Sequence, residues 1–191
     1  MNVQDDLQPT LRQQANEVLR RLSAPEREAL LIKNWMSHDA RWFMAVAQTF
    51  GMAAVNRVNR FAAQELGKAE APRIMRALQL PPITHRDDFL LLQEAIIGLQ
   101  GPDLIDYRVR KIGDWTFHLQ VQRCFAYDNV ARAGIADQYE CGILPRVVGW
   151  IEAAGLEYEI IPCIAKCLKA RGQECSYTIT LEASSQNPKG G

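Results

Sequence analysis

The sequence predicts an α+β fold: N-terminal helices packed on a four-stranded antiparallel sheet, built from two hairpins separated by helices. Two observations predict it. The apolar spacing is helical up to about residue 100, then switches to strict alternation. Strand-like and helix-like segments are then interleaved to the end, which pairs the strands as hairpins.

The first 23 residues form a polar helix with a loose stripe of Leu7, Leu11, Val18, Leu19 and Leu22. Ser23 is a capping residue and Pro25 suits a first helical turn, so a second helix runs from Pro25 to about Trp35. Ser37, His38 and Asp39 suggest a fresh N-terminus for a helix over 38–66. Trp42, Val46, Thr49, Ala53, Asn56 and Arg60 fall on one stripe of it. Phe43, Ala47, Phe50, Ala54, Val58 and Phe61 fall on another, which marks a central helix. Gly67 is its expected C-cap. A helix over 71–80 ends at Pro81-Pro82, and Thr84 caps another to about Leu99. Beyond Gly101-Pro102, Ile105, Tyr107 and Val109 alternate with polar residues. A turn follows at Gly113-Asp114, then Trp115, Phe117, Leu119 and Val121. Helices are expected over 126–138 and 144–154, and strands over 156–168 and 175–181 around an Arg171-Gly172-Gln173 turn. The expected organisation is a helical extension over 1–23, one domain over 24–182 and a disordered tail over 183–191.

Composition is ordinary for a globular domain, 48% hydrophobic and 23% charged. Lys plus Arg and Asp plus Glu both number 22, so no electrostatic footprint for nucleic acid or anionic membrane stands out. The polar, acidic start lacks the basic-then-apolar pattern of a secretion signal, and no long apolar run occurs. The expectation is a cytoplasmic protein without nucleic-acid or membrane partners, with a homodimer through the helices as a further expectation.

Five cysteines, Cys124, Cys141, Cys163, Cys167 and Cys175, all follow residue 120. The odd count without a secretion signal argues against disulfides. Cys167 and Cys175 flank an expected hairpin turn, Cys141 precedes a helix and Cys124 ends a strand. Zinc takes four ligands and favours thiolates, so these four are the candidate metal ligands. Lys166, Lys169 and Arg171 would offset their charge. Cys163 stands in reserve, since four residues of strand span about 13 Å. The alternative is that these are buried thiols acting as small hydrophobes.

The stretch from Glu157 to Leu181, with Cys163, Cys167, Gly172 and Cys175, resembles the closing motif of the vinyl-4-reductase-type ligand-binding domain. The resemblance implies a structural zinc on Cys141, Cys167 and Cys175. That family's fourth ligand is a glutamate three residues before the middle cysteine, where this chain has Ile164. The segment with Lys33, Trp35, His38, Asp39, Trp42 and Phe43, followed by Phe50-Gly51, Asn56 and Asn59, looks like an uncharacterised family of prokaryotic cytosolic proteins. That family is in turn distantly similar to the 2-amino-thiazoline-4-carboxylate hydrolase family.

The expected ligand site is an apolar pocket between the 38–66 helix and the sheet. Trp42 and Phe43 would line it, with His38 or Asp39 at the polar end and Asn56 and Asn59 as mid-helix amides needing partners. The alternative is that Ser37, His38 and Asp39 cap a helix and Trp42 fills core. Arg146 and Trp150, one turn apart, could hold an acidic aromatic ligand, or be an arginine lying over a tryptophan. His85 and His118 are assigned no catalytic role. No phosphate-binding glycine loop or serine-elbow motif occurs. The reading is a small-molecule ligand-binding or sensing module with a zinc-type cysteine cluster. The alternative is a hydrolase of a small heterocyclic or amide substrate, using a cysteine or metal-bound water.

Overall fold

The computed structural model describes residues 8–101 and 103–183. Leu7 of the N-terminal stripe and residues 184–191 of the expected tail lie outside the described residues. The chain divides into two compact units, residues 1–41 and 42–191. The division falls within a helix rather than at residue 23.

In the first unit, α1 spans Gln8–Leu19 and α2 starts at Ala24 and runs to Phe50, into the second unit. The Ser23 cap forms as its sequence predicts. Ser23 N–H and Oγ donate to Glu26 Oε2 at 2.8 and 2.7 Å, and Glu26 N–H donates back to Ser23 Oγ. The expected restart at Ser37 does not occur. A serine is tolerated mid-helix, and Arg41 reaches back to donate to the Ser37 carbonyl at 3.0 Å.

The helix expected over 38–66 is instead divided at Gly51, whose φ of 82° few side-chain-bearing residues adopt. α3 spans Met52–Ala77, passing through both Gly67 and Pro72. Gly67 is therefore no C-cap. It is buried where α3 crosses α6 (Ile143–Ala153), opposite Gly149. A Cβ built on Gly67 would stand 2.3 Å from the Arg146 carbonyl oxygen, so the glycine serves close approach, not termination. α4 spans Arg86–Gln100, with His85 and Asp88 closing a capping box one residue after the expected Thr84.

The sheet is antiparallel, in the order β1-β2-β4-β3, with β1 at Ile105–Lys111, β2 at Thr116–Cys124, β3 at Leu156–Ile161 and β4 at Ser176–Ala183. The α+β class and its two hairpins stand as the alternation predicts. α5 (Phe125–Arg132) is shorter than expected: Gly134, at φ 71°, ends it before a 3-10 turn over Ala136–Gln138. β3 also stops short of residue 168, because Pro162 has no N–H to continue the ladder. Residues 162–175 form an irregular crossing in place of a tight turn.

The main core of the second unit lies between the sheet, α4 and α6, with a smaller cluster of Val130, Tyr139 and Cys167 beside it. Phe117 and Leu119 of β2 and Tyr177, Ile179 and Leu181 of β4 face Phe89, Leu92 and Ile96 of α4, with Leu144, Val147, Trp150 and Ile151 of α6. These positions recur at period 2 on the strands and at helical spacing on α4 and α6, so sheet and helices each present one continuous apolar face.

Candidate functional site

All five cysteines are free thiols. Cys163 is exposed, whereas Cys141 and Cys167 are buried and Cys124 and Cys175 half-buried. Cys167 does not face Cys175 across strand register, because β3 ended earlier. Its segment pairs with that of Cys141 instead. Glu140 and Lys166 form an isolated antiparallel bridge, with Cys141 N–H donating to Ala165 O and Cys167 N–H to Tyr139 O. Alternation puts Cys141 and Cys167 on the same side of that bridge, on a diagonal of about 7–8 Å. Cys175 joins from the β4 end, its carbonyl accepting from Val121 N–H at 2.8 Å. Cys124 closes β2 at the start of α5.

The four thiols lie within electrostatic reach of one another. Burial pushes Cys141 up to about 11 and Cys175 up to about 12, and negative charge on the neighbouring cysteines adds to both. Cys124 is raised for the same first reason. The backbone amides of Ile143 and Leu144, where α6 starts, oppose the shift at Cys141. Those of Ala126 and Tyr127 oppose it at Cys124, although Cys124 closes no capping hydrogen bond. Lys169 acts against the shift at Cys175 and lies over the Tyr127 ring at 5.9 Å. Among the described residues, no three His, Cys, Asp or Glu side chains stand in an arrangement that could hold a metal ion. The thiols are neighbours without being drawn into a closed ligand shell.

The mid-helix amides turn out to position this cluster. Asn56, 4% exposed, donates from Nδ2 to Gln138 O at 2.7 Å and accepts from Glu140 N–H at 3.2 Å. One turn on, Arg60 donates to Glu140 Oε2 at 2.9 Å and to Ile164 O at 3.2 Å. Asn59 packs over Gly142, where an added Cβ would come within 2.4 Å of its Nδ2. One face of α3 thus holds both sides of the bridge that carries Cys141 and Cys167. Asn56→Ala leaves the Gln138 carbonyl and the Glu140 amide without that partner. We expect it to lower stability in urea by about 1–3 kcal/mol. A loss below a few tenths would mean that the bridge holds itself.

The aromatic end of the expected pocket is arranged differently. Trp42 is 61% exposed, and half-buried Phe43 packs edge-on to Tyr139 with ring centroids 5.9 Å apart. His38 and Asp39 are exposed. Neither these residues nor Asn56 and Asn59 line the apolar cavity of the second unit. That cavity, of about 40 Å³, lies between α4, α6 and the inner face of β1 and β2, with Gln93, Ile97, Tyr107, Leu119, Val147 and Trp150 on its walls.

Arg146 and Trp150 border the same cavity, but both serve Glu70. Arg146 donates through Nε and Nη2 at 2.9 and 2.6 Å, and Trp150 through Nε1 at 2.9 Å. Gln100 Nε2 adds a bond to the same carboxylate at 3.2 Å. Both residues are thus committed to Glu70, where the sequence suggested either a clamp for an acidic ligand or an arginine lying over a tryptophan. Gln93 is 2% exposed, and the neighbouring Tyr107 hydroxyl donates to Glu94 Oε1 at 2.5 Å. Gln93 Oε1 is buried without a partner among the described residues. Gln93 and Glu70 were missed in the sequence, yet the signal was present. Phe89, Leu92, Gln93 and Ile96 share one i, i+3, i+4, i+7 stripe, as do Gly67, Glu70, Ala71 and Ile74. A polar residue on an otherwise apolar stripe marks a buried polar group.

His85 Nδ1 is bonded to Thr84 Oγ1 at 2.8 Å, and His118 stands 3.5 Å from Thr178 Oγ1. No described helix is long and apolar enough to cross a membrane. The structure defines an α+β protein with a cysteine-rich edge and a small apolar cavity under its first hairpin. The chain belongs to a family of unknown function, DUF6125, which matches residues 22–164. The match takes in Cys124, Cys141 and Cys163 and stops before Cys167 and Cys175. No curated protein matches the chain.

Proposed function

We propose that the chain is a small-molecule-binding module whose cysteine-rich edge is held by a structural zinc on Cys124, Cys141, Cys167 and Cys175. The observation that supports it most is that these four thiols, carried by three segments, lie within electrostatic reach of one another while Cys163 is exposed. Four thiolates are a donor set that zinc favours in structural sites. Two of the thiols sit beside helix N-termini, where backbone amides favour the charged form. Bound zinc would tie the 138–142 segment, the 162–175 crossing and the end of β2 together, stiffening the sheet edge. A cytoplasmic location belongs to this reading, since reduced thiols persist there. So does the absence of nucleic-acid and membrane partners.

Metal analysis and thiol titration of the purified chain test the zinc. The expected result is one zinc per chain, with Cys163 reacting at once and the other four thiols reacting only after chelation. Cys141→Ser should lose the metal and Cys163→Ser should keep it. Five thiols that react alike with and without chelator, in a zinc-free protein that does not take up added zinc, would overturn the metal assignment.

A further inference from the structure

The cavity under the β1–β2 hairpin poses a question of hydrogen-bond accounting. Its walls are mostly aliphatic and aromatic, and their polar groups are nearly all committed. The Tyr107 hydroxyl bonds to Glu94, while Gln100, Arg146 and Trp150 all bond to Glu70. Among the described residues, Gln93 Oε1 is the one buried side-chain atom without a partner, in a residue 2% exposed. A carbonyl buried unpaired costs roughly 1–3 kcal/mol, which a helix keeps only for a compensating reason. A buried water needs about 2–4 polar partners, and Gln93 Oε1 is the one buried side-chain atom without a partner among the described residues.

We propose that this cavity receives a small neutral ligand with an apolar body and one hydrogen-bond donor, an alcohol or amide in class, whose donor is taken by Gln93 Oε1. The proposal rests on the small-molecule-binding reading and names the ligand class. Charge is excluded by the wall itself. A carboxylate would have to displace Glu70 from Arg146, and it would present a second acceptor to Gln93. An ammonium would find the Glu70 oxygens already filled by Arg146, Trp150 and Gln100. A cavity of about 40 Å³ encloses only a small compound or one end of a larger one. The rest would emerge past half-buried Ile97 and Ile105 at the rim.

Cyclohexanol and cyclohexanone share a ring and differ in the donor, so titrating each into the isotope-labelled full chain by NMR tests the idea. Cyclohexanol should shift the Gln93 side-chain amide and the Trp150 indole N–H, and bind about tenfold more tightly than the ketone. In Gln93→Met that preference should vanish while the fold stays at least as stable, since an unpaired carbonyl is gone. Equal affinities for the two probes in the wild type would overturn the proposal, as would shifts confined to other residues. Either outcome would leave the chain a binding protein. No shift anywhere at high millimolar probe would overturn the proposed site and leave the broader binding reading to other ligands.

Discussion

Glu70→Ala is expected to lower the unfolding free energy by about 3–5 kcal/mol. The Glu70 and Arg146 side chains are 12% and 14% exposed, and the arginine grips the carboxylate through two nitrogens. Removing the carboxylate leaves a guanidinium, an indole N–H and a glutamine amide without their acceptor, in a region that water reaches poorly. The penalty comes from the stranded partners more than from the loss of attraction, so a second substitution should relieve it. Glu70→Ala combined with Arg146→Met removes the buried charge altogether and should recover part of the loss, with a coupling well above 1 kcal/mol in the double-mutant cycle. Urea midpoints for the four proteins measure this. A single-mutant loss under about 1 kcal/mol would mean that the pair is screened as a surface pair is. Because Arg146 and Trp150 also wall the cavity, Glu70→Ala should disturb the Trp150 indole resonance even where the protein stays folded.

What could be read in advance divides along a physical line. The sheet was legible because burial on one face imprints alternation directly on the residues: Phe117, Leu119 and Val121 carry it without any knowledge of their partners. The cysteines stand out in the sequence as a late cluster, but the pairing of their segments was not legible. The segments of Cys167 and Cys141 pair through a bridge between irregular stretches, and no periodicity announces such a pairing. Helix ends misled where one residue type serves two purposes. Gly67 reads as a terminator and works as a contact surface, whereas Gly51, mid-pattern, is where the long helix divides. The Asn56 and Asn59 amides were rightly singled out as needing partners. The partners of Asn56 are a distant backbone segment, and Asn59 packs against Gly142.

The double role of glycine yields the other large effect, and its sign depends on place. Gly149→Ala is expected to destabilise by about 3 kcal/mol, at the upper end of what overpacking usually costs. Its Cβ would stand 2.2 Å from the Gln64 carbonyl oxygen, and 2.9 Å from both Gly67 Cα and Lys68 N. All three are backbone atoms of α3, so no side chain can swing aside; the helices themselves must separate. Separation would draw α6 away from the core face it shares with α4 and the sheet. The gain in helix propensity, about 1 kcal/mol for Gly to Ala, is too small to offset this. Gly98, exposed in α4 with nothing within 4 Å of a built Cβ, isolates that gain: Gly98→Ala should stabilise by roughly 0.5–1 kcal/mol. Opposite signs at the two sites would establish the α3–α6 crossing as the cause, because the chemical change is identical. Gly67→Ala should behave as Gly149→Ala does, and the double variant should cost less than the sum. Once the helices have moved apart for one methyl group, the second enters space already opened. Additive losses would mean that the two glycines are relieved by independent local shifts instead of one common displacement.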